Sequence, residues 1–220
     1  MKNIKLVFMS LLAVAVFSCK DGKKENNSEH DDGVEHLEKE GHDDDKAMFA
    51  LLSDSTKVSF TAYKTTEKKP VGGIFKTINV SGTNSGSNYA EVLNGAKFNI
   101  PVSSLFTNDA TNTRDPKLLE FFFGMMKDTE LISGVVKAKE NGCSIDVTLN
   151  GETANIPLTV EKTGDNSYAF SGTMNLENWK ALDAVASLHK ACEALHTGAD
   201  GVSKTWNDVA VKAEIQLKKN

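Results

Sequence analysis

The sequence predicts a mainly β fold, an antiparallel barrel of about eight strands with two helical inserts. Three observations carry this expectation. From about residue 57 most apolar residues recur with period two, the pattern of a strand with one buried and one wet face. Two Asn-Gly pairs, Asn141-Gly142 and Asn150-Gly151, stand between such runs, and this dipeptide is the strongest short hairpin signal. Two stretches replace the alternation with helix-start and helix-stop chemistry. Antiparallel strands covered on one side leave exposed edges, which closure into a barrel removes.

The elements follow in order. KVSFTAYK (57–64) opens the series, and VGGIFKTINVSG (71–82) continues it, with Gly72 and Gly73 marking a bulge or sharp bend. AKFNIPV (96–102) puts Ala96, Phe98, Ile100 and Val102 on one face. LISGVVKAK and CSIDVTL flank the first Asn-Gly pair, and ANIPLTVEK follows the second. SYAFSGTMNL comes next. In the last strand, VAVKAEIQL, Val209, Val211, Ala213, Ile215 and Leu217 alternate with polar residues.

The first helical stretch is RDPKLLEFFFGMM (114–126), with Asp115 as N-cap and Pro116 as first helical residue. Successive helical residues point about 100° apart, so Phe121, Phe122 and Phe123 together sweep about 200°. Leu118, Phe121, Phe122 and Met125 fit one stripe, and Phe123 and Met126 sit off it. That stripe packs on the sheet, while the remainder meets another helix or an apolar ligand. Methionine suits either surrounding. The second helix, NLENWKALDAVASLHKACEALH, runs from about Asn175 to His196 and ends near Gly198.

Outside these elements the sequence divides into two further regions. Residues 1–18 combine a basic start, MKNIK, with the apolar run LVFMSLLAVAVF and a small Ser18 before Cys19, the layout of an export signal. The run is too short for a membrane-spanning helix. VFSC resembles the bacterial lipoprotein box, so acylation of Cys19 and a membrane-anchored place in the bacterial cell envelope are expected. Residues 20–46 hold eleven acidic and five basic residues and almost nothing apolar. Such a segment cannot bury enough surface to order itself and is expected to be a disordered acidic tether, with a reach of roughly 30 Å. His30, His36 and His42 within it are loose metal ligands at most. Residues 47–220 carry a net charge of only −1, which gives no basis for nucleic-acid binding.

Several segments, taken in order, resemble the YceI-like family of exported polyisoprenoid-binding barrels of lipocalin-like shape. KVSFTAYKTTEKKPVGGIFKTINVSG is similar to that family's opening strand, its glycine and phenylalanine bend and its next strand. FNIPVSSLFTNDATNTRDPKLLEFFF resembles its strand, its serine- and threonine-rich loop and a short helix with a Phe-Phe pair. CSIDVTLNGETANIPLTV is similar to its hairpin. The resemblance covers most of residues 56–217 and implies an apolar interior for an isoprenoid or other long lipid, lined by Phe98, Ile100, Leu118, Phe121 and Phe122. Met125 joins that set through the helical stripe. Two features depart from the family. Members commonly carry a histidine in the first strand, where TAYKTTE stands here, and the HKACEALH helix and GADGVSKTW have no counterpart.

Other candidate sites are weaker. His189, Cys192 and His196 lie within about 60° on one helical stripe, a spacing that could hold zinc or copper but is also the helix's natural inner face. Cys143 and Cys192 are the two cysteines left beside Cys19, and an oxidising envelope would allow them to pair. No nucleophile elbow, paired-carboxylate spacing or HExxH motif is present, so neither catalysis nor a cofactor is expected. The sequence therefore points to a tethered lipid-binding barrel. A surface interaction module with a filled barrel core and an envelope metal-binding protein are the alternatives.

Overall fold

The alternating runs fold into strands that follow one another around a strongly curled antiparallel sheet. The computed structural model describes residues 47–220, so the export signal, Cys19 and the acidic tether expected over residues 1–46 lie outside the described residues. The strands are β1 (Phe49–Leu51), β2 (Lys57–Lys64), β3 (Lys69–Phe75), β4 (Asn79–Ser81), β5 (Lys97–Pro101) and β6 (Leu105–Phe106). They continue with β7 (Leu131–Lys139), β8 (Gly142–Leu149), β9 (Glu152–Gly164), β10 (Ser167–Asn175) and β11 (Asp208–Lys219). Their order in the sheet is β4-β5-β7-β8-β9-β10-β11-β2-β3-β6, with β1 paired to β11.

The hydrogen-bonded ladder thus ends at β4 on one side and β6 on the other. The chain itself joins these ends. Lys76, Thr77 and Ile78 link β3 to β4, and a 3-10 turn, Val102–Ser104, links β5 to β6. The two bent segments run side by side. Phe75 faces Leu105 before the bend and Asn79 faces Asn99 after it. Between these pairs the Lys76 amide donates to the Ser104 carbonyl at 2.9 Å. The second segment has five residues there against three in the first, and the 3-10 turn takes up the surplus, as a bulge does. If each bent segment is counted as one strand, and the short β1 is left aside, the barrel has the expected eight.

Local chemistry explains most of the departures from the expected elements. The Gly72-Gly73 pair makes no bulge, because β2 and β3 pair without a register shift from Val58–Phe75 to Lys64–Lys69. The bend comes later, at residues 76–78. Asn150 (φ 54°) and Gly151 (φ 72°) form the expected left-handed hairpin turn. At the other Asn-Gly pair, Lys139 faces Gly142, so Glu140 and Asn141 are the turn and Gly142 opens β8.

Among the described residues there are four helices: α1 (Tyr89–Leu93), α2 (Arg114–Phe121), α3 (Leu182–Ala191) and α4 (Glu193–His196). The single long helix expected from Asn175 is divided. β10 extends to Asn175, a 3-10 turn spans Leu176–Trp179, and Lys180 is left-handed at φ 51°. Trp179, fully buried, fixes this break by donating its indole N–H to the Val147 carbonyl at 2.8 Å. Asp115 is not the N-cap of α2. Thr113 holds that position, and the Asp109 carboxylate accepts the amides of Thr113 and Arg114 at 3.1 and 3.2 Å. The Asp115 carboxylate turns instead to the amide and hydroxyl of Thr107.

Among the described residues two apolar clusters form the core. One gathers Leu51, Val92, Leu93, Cys143, Phe170 and Ile215 around β1 and α1. The other gathers Phe123, Met126, Trp179, Ala181 and Ala184 with strand residues beneath α2 and α3. β10 shows that they lie at opposite ends. Tyr168 and Phe170 near its start stack on Tyr89 of α1, with centroids 5.1 and 5.6 Å apart, whereas Asn175 at its end leads towards α3. Seven extended residue steps from Tyr168 to Asn175 separate the two covers by about 23 Å.

Candidate functional site

Between the two clusters lies a cavity of about 250 Å³. Inward-facing residues of nearly every strand line it, among them Val58, Phe60, Ile145, Val147, Val209 and Val211. The period-two pattern of each strand is what sends one apolar set inward. α2 adds Leu118, and α3 adds Val185 and Leu188. Polar lining is sparse, chiefly Thr56, Ser59, Thr205 and Lys212. The arrangement can hold an apolar molecule and has almost nothing to hold a polar one.

Two glycines shape the wall. Phe60 faces Gly73 across β2 and β3, and a Cβ on Gly73 would meet the Phe60 ring at 2.5 Å. Phe98 faces Gly134 across β5 and β7, where a Cβ would collide with the Phe98 ring and the Asp146 carbonyl. Each ring therefore lies over the neighbouring strand's glycine, and both rings line the cavity. Side chains at these two glycines would take up the space the rings now occupy.

Of the six residues expected to line a ligand site, Phe98, Ile100, Leu118 and Phe122 face the cavity. Phe121 is half-buried but not in its lining, and Met125 is 57% exposed. Phe123, expected off the stripe, is buried and lines the cavity, and Met126 belongs to the core. The reason is where α2 stops. The helix ends at Phe121, and a 3-10 turn over Phe123–Met125 changes the rotation per residue, so helical spacing no longer predicts direction. Phe122 and Phe123 then pack edge to face with centroids 5.0 Å apart. The triple phenylalanine is accommodated because it straddles a helix end.

The histidine-bearing helix organises differently from a metal site. His189 and His196 both direct Nδ1 at the Thr205 hydroxyl, at 3.1 and 2.6 Å. Among the described residues no group of three or more His, Cys, Asp or Glu side chains is placed to hold a metal ion. Burial, with Lys64, His189 and Lys117 nearby, lowers the His196 pKa to about 4 and keeps the ring neutral. Cys143 and Cys192 are both free and buried rather than paired. Cys143 is a member of the core cluster around α1, whereas Cys192 sits between α3 and α4, and burial raises the Cys143 pKa to about 11.

Three solved structures give the comparison. A polyisoprenoid-binding domain from Saccharophagus degradans, implicated in plant cell wall breakdown, superposes with a TM-score of 0.56 at 12% identity. The match covers 78% of this chain and 98% of that one. BcnA of Burkholderia cenocepacia matches at 17% identity with a TM-score of 0.47, covering 74% of this chain and 96% of that one. The YCEI protein of Campylobacter jejuni matches at 17% with a TM-score of 0.41, covering 69% and 87%. No curated protein matches the sequence. Residues 49–217 match the YceI-like domain, a span from the first residue of β1 to near the end of β11, and the chain belongs to the YceI-like family.

Proposed function

We propose that this protein is a membrane-tethered carrier that binds an isoprenoid or another long apolar chain inside its barrel, without catalysing a reaction. The observation that carries the reading is the cavity, an interior void walled by aliphatic and aromatic side chains. A wholly apolar void of about 150 Å³ already takes up benzene. Burying about 200 Å² of ligand surface would supply roughly 5 kcal/mol before the costs of association. The polyisoprenoid-binding Saccharophagus degradans domain shares the fold and supports this choice of ligand. The VFSC run around Cys19 supports an acyl anchor in the cell envelope. The void also disfavours the alternative of an interaction module with a filled core.

Native mass spectrometry of protein purified without denaturant tests the reading. The wild type is expected to carry, or to take up from added isoprenoid, one apolar molecule per chain. Val211→Phe places a larger side chain in the cavity wall and is expected to lose most of that uptake while keeping its thermal stability. A wild type that stays empty when isoprenoid is supplied would overturn the carrier reading.

A further inference from the structure

The chain holds three Asn-Gly pairs, Asn94-Gly95, Asn141-Gly142 and Asn150-Gly151. Asparagine is a labile residue, and most so before glycine, where no side chain shields the following amide nitrogen. Deamidation needs two groups free at once, the side-chain carbon of the asparagine and the backbone nitrogen of the glycine. The fold withholds one of them at two of the pairs. At Asn150 the side chain is held, its Oδ1 accepting the Lys127 amide at 2.9 Å and its Nδ2 donating to the Trp179 and Lys180 carbonyls at 2.9 and 3.1 Å. At Asn94 the nitrogen is held, because the Gly95 amide donates to the Val136 carbonyl at 2.9 Å while the Val136 amide donates to Ala96 at 2.8 Å. Asn141 lacks both restraints. It lies exposed with Glu140 and Gly142 at the β7–β8 turn, and among the described residues its side chain has no hydrogen-bond partner. Lys139 faces Gly142 as the last pair of that ladder, so opening one pair frees the Gly142 nitrogen, and the end of a hairpin opens most easily.

We propose that Asn141 is a site of spontaneous modification, where the chain deamidates and isomerises to isoaspartate. The Gly142 nitrogen gives its proton to solvent base and attacks the Asn141 Cγ. That C–N bond forms as the Cγ–Nδ2 bond breaks, and ammonia leaves with a proton from solvent. Water then opens the resulting succinimide ring at either carbonyl. Opening at Cγ gives aspartate. Opening at the main-chain carbonyl gives isoaspartate, whose backbone runs through Cβ and is one atom longer. Nothing is oxidised or reduced, since an amide and a water become a carboxylate and an ammonium ion. The product carries a new negative charge beside Glu140 and, as isoaspartate, a longer turn. α1 meets this turn directly, because the Tyr89 hydroxyl donates to the Lys139 carbonyl at 3.4 Å. The modification thus falls at the α1 end of the barrel, away from α3.

Incubation of the purified protein in warm, mildly alkaline buffer, followed by peptide mapping, tests this. Mass spectrometry reads the replacement of the side-chain amide by a carboxyl at each pair, and an isoaspartyl methyltransferase with S-adenosylmethionine scores isoaspartate. In the folded protein Asn141 is expected to convert at least about tenfold faster than Asn94 or Asn150. In urea, where the restraints are lost, the three are expected to convert within about threefold of one another. Gly142→Ala shields the nitrogen with a methyl group and is expected to slow conversion at Asn141 severalfold, with Asn94 and Asn150 unchanged. This variant is expected to fold, since a Cβ there would meet nothing within 4 Å and Gly142 is not at positive φ. Conversion of Asn94 or Asn150 as fast as Asn141 in the folded protein would overturn the assignment. An Asn141 that stays intact in the folded protein while it converts in urea would overturn it as well.

Discussion

Phe60 and Phe98 carry the same device, an aromatic ring laid over a glycine on the next strand, but the two glycines differ in what surrounds them. A Cβ at Gly73 would meet the Phe60 ring and, at 3.1 Å, a methyl of Thr107, all movable side-chain atoms. Gly73→Ala is therefore expected to tilt the ring into the cavity, reducing lipid uptake at a cost below about 1.5 kcal/mol. A Cβ at Gly134 would also strike the Asp146 backbone, which cannot swing aside. Gly134→Ala is expected to cost more, about 2–3 kcal/mol, in chemical denaturation. Equal effects at the two positions would show that the Asp146 backbone contact does not set the cost. His196 supplies a pH dependence. Its folded pKa, about 4, lies below the ordinary 6.5 through burial and then through Lys64, His189 and Lys117. Between those values the unfolded chain binds a proton that the folded chain does not, so stability falls as pH drops from 6.5 to 4. The contribution is at most about 3 kcal/mol, fully present above pH 6.5. His196→Asn is expected to flatten that part of the profile relative to wild type, measured by thermal melts from pH 7 to 4.

At the scale of elements, Asn150 joins three of them through one side chain. Its Oδ1 accepts the Lys127 amide at 2.9 Å, just after the turn that follows α2. Its Nδ2 donates to the Trp179 and Lys180 carbonyls at 2.9 and 3.1 Å, immediately before α3. The residue also turns the β8–β9 hairpin in a left-handed conformation that asparagine tolerates better than alanine. Asn150→Ala should cost about 2–4 kcal/mol from three lost bonds and the strained turn. A loss below about 1 kcal/mol would mean that the helical covers are held by packing alone. The sequence made the hairpin legible through Asn150-Gly151, yet gave no sign of these three bonds, because they join positions up to 30 residues apart. The same contrast holds elsewhere. β2, β7, β8 and β11 were readable because alternation is local and survives any topology. The division of the expected long helix was not, since it depends on Trp179 reaching Val147. α1 carried a local signal, the Asn88 cap, but only five residues follow it. Four of the six expected lining residues face the cavity, and the exchange of Met125 for Phe123 traces to a helix that ends one turn early.

For the whole molecule, the question is whether the proposed membrane anchor and the proposed ligand site act independently. No helix among the described residues is long and apolar enough to cross a bilayer. Electrostatics offers little either, because residues 47–220 carry a net charge of −1 and residues 20–46 a net charge of −6, which an anionic surface repels. The proposed anchor is an acylated Cys19. One acyl chain, at about 0.8 kcal/mol per buried methylene, gives only reversible attachment, whereas the two or three chains of a lipoprotein cysteine hold firmly. Anchoring and ligand binding should therefore be separable. Cys19→Ser is expected to move the protein from the membrane to the soluble fraction on cell fractionation, with its isoprenoid uptake unchanged. Val211→Phe is expected to do the reverse, staying with the membrane while losing uptake. If Cys19→Ser remains in the membrane fraction, the anchor is not acylation at this residue. If release also abolishes uptake by the purified protein, the barrel does not bind its ligand independently of the anchor.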